Sequence, residues 1–474
     1  MSTSILGLPS SDKFKTAGTD LGSIRRKTFL YYPQAGMSLT GLTSLLDSEP
    51  LSHVDYYFHE ERFRYLGSTT RGTNPITKSA PSTGDADDGT VSDTTSLGSV
   101  ATTNYIKVAS TADYRVGQIV AIDPAGSNLQ FQITAVTVGA SDASLLGYLT
   151  VRPVRALASY VSTDYTAGTY LPVLATAYGQ GSTVGNPLGT RIPQKVGNSV
   201  QLIRTPMRFT LEQMKTPMTF DASGPYKLEA RRKIQEHFCQ MEASLLFGKR
   251  SGVRRTVLNS NDSSNDSDGK EIVYTMSGLI EHIRLWDAGA TGLSIDGSTY
   301  APYDDHVAVT LDTDPEKRYI TNTAGTVNYT LAEGWMLKAN TTSARTSSDR
   351  VGICGNNVLT AFNKMARLES NQILAQKDSV YGLNITTFLF PTGNLHLVTH
   401  PLFNDKMYGM QNSLLICDPT NLSVRPLFET DLRTNIQNKK SLVREDEYVT
   451  EFGLEVHNVE SNVFIKNCGT YAAD

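Results

Sequence analysis

Arg204-Thr-Pro-Met-Arg-Phe-Thr-Leu-Glu-Gln-Met-Lys-Thr-Pro-Met218 reads as an extended arm punctuated by prolines. Ser223-Gly224-Pro225 breaks the chain, and one long amphipathic helix follows, from about Tyr226 to Phe247. Ala230, Ile234, Phe238, Met241 and Leu245 recur at steps of three and four, which predicts an inward core stripe. Ser223 is placed to cap the helix start, and Pro225 suits a first turn, where its missing N–H costs nothing. Gly248 is expected in the left-handed conformation that ends a helix, with Lys249 and Arg250 against the negative end of the dipole. The outer face carries Glu229, Arg232, Lys233 and Glu236. Glu229 precedes Lys233 by four residues, as Arg232 does Glu236, so these are expected to pair. A long two-sided helix on an extended arm suits a protein that touches neighbours, not one built around a pocket.

Working outward, the 474 residues allow about three domains and an ample core. The net charge of -4 is too small for wrapping nucleic acid or gripping an anionic surface. Lys13, Lys15, Arg25, Arg26 and Lys27 make the N-terminal segment locally basic, which reads first as a solvated tail and second as a contact for a neighbour or a polyanion. No apolar run reaches the roughly 18 residues that cross a bilayer, and the N-terminus lacks a signal-peptide pattern. Cys239, Cys354, Cys417 and Cys468 are far apart in sequence and sit among apolar neighbours, so buried free thiols and synthesis in a reducing cytoplasm are expected.

The element pattern is mixed. Residues 1–60 read as an arm with too few apolar positions for a core of its own. Residues 67–100 read as a mobile loop and 156–195 as a loose run. Between them, strands at 105–108, 118–123, 131–138 and 149–154 predict a small all-β module at about 101–155. Helices are expected at Ser277–Trp286 and Asn356–Leu368, and a strand pair at Asn384–Phe390 and Leu395–Thr399. A short strand is expected at Ser413–Cys417, and 288–350 reads as irregular. Tyr448–Val456 and Val463–Lys466 are expected to close the chain as a pair joined by a polar turn.

No constellation for catalysis, cofactor or metal emerges. The polar loop Asn259–Gly269 places Ser264, Asp266 and Asp268 at the first ligand positions of a calcium loop, but Thr275 stands where a bidentate Glu is needed. His396 and His400 share a spacing but lack a local third ligand. The glycines at 179, 181 and 185 have the wrong spacing for a phosphate loop, and no helix follows them. His237 reads as a packing or interface residue within the helix.

The order of parts resembles the Hong Kong 97-type fold of tailed-phage major capsid proteins. Gly41-Leu-Thr-Ser-Leu-Leu-Asp47 with Tyr56-Tyr-Phe-His-Glu60 resembles that family's N-terminal arm, and Val196-Gly-Asn-Ser-Val-Gln-Leu-Ile-Arg-Thr-Pro206 the strand returning from its extended loop. Lys227–Arg250 resembles the spine helix, and Val351-Gly-Ile-Cys-Gly-Asn-Asn-Val-Leu-Thr-Ala-Phe-Asn-Lys364 an axial-domain strand and helix. Arg425-Pro-Leu-Phe-Glu-Thr-Asp-Leu432 with Val449-Thr-Glu-Phe-Gly-Leu-Glu-Val-His-Asn458 resembles the closing peripheral strands.

The resemblance implies an α+β subunit with an arm at 1–60 and an extended loop region at 61–222 carrying the β module. It implies a peripheral domain at 223–275 with the spine helix, an axial domain at 276–424, and closing peripheral strands at 425–474. The module is expected to project from the extended loop on the outer surface. The implied function is a non-enzymatic coat subunit that self-assembles into the icosahedral head of a tailed phage. Its implied partners are itself in pentameric and hexameric capsomers, a portal, possible scaffold or decoration proteins, and packaged double-stranded DNA held by weak non-specific contact. No membrane and no cofactor are implied; the chain would be made in the host cytoplasm and end in the virion. A scaffold, if used, would be a separate protein. The alternative reading is a β-rich phage or cell-surface adhesin or fibre, which shares the Gly/Ser/Thr-rich loops.

Overall fold

In the computed structural model, strand β1 (Asp55–Glu60) pairs antiparallel with β11 (Gln194–Ser199), and the ladder ends with Glu60 opposite Gln194. The chain from 61 to 193 therefore leaves and returns at one strand end. Contacts divide the molecule accordingly into Glu61–Pro193 and a unit made of Met1–Glu60 with Gln194–Asp474. The structure describes residues 48–61, 66–70, 76–78, 80, 96–98, 100–124, 128–138, 147–161, 169–181, 193–216, 224–251, 274–295, 298–303, 308–312, 314–340, 348–368, 375–380, 383–437 and 442–473. The arm before residue 48, Ser223, the polar loop 259–269 and most of the stretches 67–100 and 179–185 lie outside the described residues.

In the 61–193 unit, a seven-stranded sheet has the order β2 (Gly67–Thr69), β10 (Tyr170–Thr176), β6 (Gln118–Ile122), β7 (Leu129–Val138), β8 (Gly147–Pro153), β5 (Asn104–Val108), β3 (Ile76–Thr77). β4 (Ser96–Gly98) and β9 (Leu157–Val161) pair separately. Alternation sets the core: Leu129, Phe131 and Ile133 on β7 and Leu149 and Val151 on β8 are buried, with half-buried residues between them. Tyr114 pins the sheet edge by donating its hydroxyl to the Leu171 carbonyl at 2.8 Å and accepting from the Ser68 N–H at 2.7 Å. The sheet is larger than the expected 101–155, because segments read as loops supply β2, β3 and β10. β2 and β3 are too short to leave a periodicity in the sequence, and β10 is paired with β2 and β6, far back along the chain.

The other unit contains a three-stranded sheet of order β12 (Gln201–Thr210), β23 (Val443–Val456), β22 (Leu422–Arg433). On β12, Ile203, Thr205, Met207 and Phe209 face inward while Leu202, Arg204, Pro206 and Arg208 face out. The predicted arm is thus a strand as far as Thr210, then helix α1 (Leu211–Lys215), capped by the Thr210 hydroxyl accepting from the Gln213 N–H. Pro206 is tolerated because β12 is an edge strand. Helix α2 (Pro225–Phe247) covers one face of this sheet: Ala230, Ile234 and Tyr226 pack against Met207, Phe209 and Tyr448.

A mixed seven-stranded sheet forms the rest of the framework, in the order β15 (Tyr319–Thr321), β24 (Val463–Lys466), β21 (Leu414–Cys417), β17 (Asp349–Cys354), β20 (Gly393–Thr399), β19 (Leu383–Phe390), β18 (Ala375–Val380). Helices α4 (Tyr329–Ala339) and α5 (Asn356–Leu368) pack Trp335, Met336, Val358, Phe362 and Met365 onto it. Helix α3 (Leu279–Ala288) joins α2 in the adjoining core through Leu279, Ile283 and Trp286. β13 (Leu293–Ile295) and β14 (Ser298–Tyr300) form a hairpin, β16 (Thr326–Val327) pairs parallel with β25 (Thr470–Tyr471), and Pro401–Asn404 is a one-turn helix, α6.

Two expectations are corrected here. The region 288–350 is not wholly irregular, since it contains α4. The closing strands do not pair with each other: β23 lies in the three-stranded sheet, while β24 joins β15 and β21 in the mixed sheet. Strand β24 thus belongs with the 276–424 region rather than with 425–474.

Candidate assembly site around the long helix

Helix α2 starts without a side-chain cap. Gly224 at φ +88 turns the chain into the helix, and Pro225 occupies the first turn. At the other end Gly248 has φ -54, so the expected left-handed end is absent. Glycine is required there for a different reason. A Cβ on Gly248 would lie 2.5 Å from the Ser244 carbonyl oxygen and 2.6 Å from that of Met276. Gly278, which precedes α3, meets the same crossing, with a Cβ position 2.7 Å from the Gly248 nitrogen. Two glycines thus let the end of α2 touch the start of α3, joined by the Gly278 N–H donating to the Gly248 carbonyl at 2.9 Å.

The five stripe residues divide between two cores. Met241 and Leu245 are buried in the main core, and Phe238 is half-buried against it. Ala230 and Ile234 are half-buried against the cluster on the three-stranded sheet. The deepest polar residues on α2 are His237 and Glu242, both fully buried. His237 sits between two threonines, with Nδ1 2.9 Å from Thr205 Oγ1 and Nε2 2.7 Å from Thr450 Oγ1. Burial holds its pKa below the usual histidine value. His400 Nε2 donates to Glu242 Oε1 at 2.8 Å, while His400 Nδ1 accepts from the Leu402 N–H and so caps α6. Apolar periodicity cannot reveal either pair, because both partners are polar.

On the outer face the ion pairs form at a spacing of three, not four. Glu229 lies 3.6 Å from Arg232, and Lys233 2.8 Å from Glu236. Such exposed pairs contribute little stability. A groove of about 360 Å3 opens between β12 and α2. Four consecutive β12 residues, Pro206 to Phe209, run along it, and Pro225, Leu228, Glu229, Arg232 and Lys233 form the helical wall.

A buried ion pair braces the mixed sheet. Arg350 Nη1 lies 3.0 Å from Asp418 Oδ2, with both side chains wholly buried. The Arg350 guanidinium also donates to the carbonyl of Ala339, the last residue of α4, placing a cation at the negative end of that helix. His396 and His400 take different partners, since His396 bonds Thr387 Oγ1 at 2.9 Å. Among the described residues no cluster of three or more His, Cys, Asp or Glu is arranged to hold a metal. The four cysteines are free, and burial raises the thiols of Cys354 and Cys417 to about 12. No described helix is long and apolar enough to cross a membrane.

By structure the chain is similar to the capsid of a native GTA particle, at 11% identity, 62% of this chain, 82% of that chain and a TM-score of 0.35. It is also similar to a Mycobacterium phage Patience chain, at 9% identity, 63% and 79% coverage and a TM-score of 0.36. A third likeness is to the cyanophage A-1(L) capsid, at 12% identity, 62% and 85% coverage and a TM-score of 0.35. No curated protein matches the chain. The sequence model described as SU10 major capsid protein matches residues 185–469, more than half of the chain and almost all of the part that carries α2 and both of its cores. The chain belongs to the SU10 major capsid protein family, and it is a major capsid subunit of a phage head.

Proposed function

We infer that this subunit builds an icosahedral, Hong Kong 97-type head of a tailed phage around double-stranded DNA, from capsomers of five and six copies. In this reading α2 is the spine helix of a peripheral domain completed by β12, β22 and β23. The mixed sheet with α4 and α5 is the axial domain, and β24 belongs to it. The 61–193 unit occupies the place of the extended loop. Glu229, Arg232, Lys233 and Glu236 serve as the neighbour-facing side of the spine, and Ala230, Ile234, Phe238, Met241 and Leu245 as its anchoring side.

The observation that supports this most is the three-stranded sheet, covered by α2 on one face and carrying Leu202, Arg204, Pro206 and Arg208 outward on the other. Two-layer plates of this kind gain stability when neighbours cover them. The net charge of -4 suits a wall that holds packed DNA without gripping it. Portal, scaffold or decoration proteins complete the set of partners in this reading. Synthesis occurs in the host cytoplasm. Negative-stain microscopy and sedimentation of the protein, expressed alone and with the other head proteins of its phage, test this. Closed shells or rings of five and six are expected; a compact monomer under every condition, or fibres, overturns the reading.

A further inference from the structure

The three-stranded sheet ends in two unlike edges. Among the described residues, β12 and β22 each have a strand neighbour on one side only. The β12 edge borders the groove against α2, whose floor is apolar through Phe209, Pro225 and Leu228. Its rim carries Arg208, Arg232 and Lys233, which lie beside Glu445, Glu229 and Glu236 respectively, so the surplus of positive charge along this margin comes from the neighbouring helix residues. Exposed Lys227 and Arg231 extend this basic margin along the helix.

The β22 edge has the opposite character. Near its start, the Pro426 carbonyl accepts from the Leu51 N–H at 2.9 Å. Beyond that point Phe428, Glu429, Thr430 and Asp431 are all exposed, and Phe428 keeps 55% of its surface in solvent. This segment is extended, holds two carboxylates and no cation, and presents one large aromatic ring. An exposed edge strand with an apolar ring is an aggregation hazard unless something covers it.

We propose that the Phe428–Asp431 edge of one copy docks in the groove between β12 and α2 of the next copy. Phe428 enters the apolar floor, and Glu429 and Asp431 meet the basic rim. Pro206 removes one backbone donor from the β12 edge, so side chains rather than a continuous ladder carry the recognition. The two surfaces lie on opposite edges of one sheet, so the contact is head to tail. Such contacts close into rings when the rotation per copy permits. The proposal rests on the coat-subunit reading and names one contact by which copies would join.

Charge exchange tests it. Arg232→Glu with Lys233→Glu, and separately Glu429→Lys with Asp431→Lys, should each lower the yield of capsomers or shells at least tenfold. Combining all four substitutions should restore it, and thermal melting of the unassembled variants should show the fold retained. As a second measurement, Gln213→Cys with Glu429→Cys in the otherwise unsubstituted protein should give a ladder of disulfide-linked multimers on oxidation of assembled particles. Unsubstituted protein that assembles, with neither charge variant impaired and no ladder formed, overturns the docking and leaves the coat reading intact. Normal shells that package less DNA in the Arg232→Glu, Lys233→Glu variant assign the basic rim to nucleic acid and also overturn it. Failure of the unsubstituted protein to assemble under every condition, the other head proteins included, removes the reading of capsomers of five and six on which the docking rests.

Discussion

His400 donates from Nε2 to Glu242 Oε1 at 2.8 Å, and both side chains are wholly buried. The bond ties the last third of the long helix to the turn that follows β20. Removing one member of such a pair leaves the other polar group buried without its partner. Glu242→Ala should therefore destabilise the unassembled subunit by about 3 kcal/mol, and Glu242→Gln, which keeps an acceptor, by clearly less. Urea unfolding followed by far-UV circular dichroism measures both. A Glu242→Ala loss no larger than that of an exposed substitution would show that the pair does not brace the helix.

The Gly248 and Gly278 crossing predicts a backbone effect rather than a side-chain one. Gly278→Ala places a Cβ within 3 Å of three backbone atoms of the α2 terminus, so the helices must move apart. A cost of about 2 kcal/mol is expected, in the range typical of overpacking. Gly334→Ala is the control, because nothing lies within 4 Å of its Cβ position and it sits inside α4. That change should stabilise slightly. Equal effects on the melting temperature would contradict the crossing.

His282 gives a pH dependence of defined sign. Burial first, and then the Arg250 charge, lower its pKa to about 4. The unfolded chain binds the proton near pH 6.5, so the folded state is favoured above that value. This contribution is lost as pH falls from about 6.5 to about 4, amounting to about 3 kcal/mol. His457 acts in the opposite sense: its bond to Glu455 raises its pKa, so its contribution is lost as pH rises through that raised value. The difference in unfolding free energy between the unsubstituted protein and His282→Gln isolates the first effect. It should shrink by about 3 kcal/mol between pH 7 and pH 4; a difference that stays constant across this range would refute it.

These features differ in how far a sequence reveals them. Helix α5 was legible because Val358, Phe362 and Met365 stand on one side and Asn357, Thr360 and Lys364 on the other. Helix α4 was not. Gly334 interrupts it, and exposed Leu331 and Leu337 blur the contrast between its faces. The cue that could have found it is Asn328, whose side chain accepts from the Leu331 N–H at 3.0 Å as an N-cap. The long helix is legible, but what anchors it is not, because His237 at mid-length and Glu242 in its last third are buried through polar partners on distant strands and turns. The sheet assignment of β24 was illegible for a related reason: which strand it meets is decided by β15 and β21, far away in sequence.

The register of β1 with β11 makes the strongest prediction about organisation. Glu60 and Gln194 are direct partners, so the backbone at residue 60 and at residue 194 is about 5 Å apart, as for any antiparallel pair. A gap that short is closed by a two-residue hairpin, for which Asn-Gly is the favoured sequence. Replacing residues 61–193 with Asn-Gly should therefore give a soluble subunit that keeps the helical signal of α2 and a single cooperative unfolding transition. The narrower excision of 101–155 should behave worse. It removes β5, β6, β7 and β8, leaving β3 without β5 and β10 without β6, and exposes Ile76 and Leu171. Solubility, circular dichroism and hydrogen exchange of the two deletions decide the matter. If the Asn-Gly chain is unfolded while the 101–155 excision folds, the 61–193 segment is not a separable insertion, and the boundary at Glu60 and Gln194 is wrong.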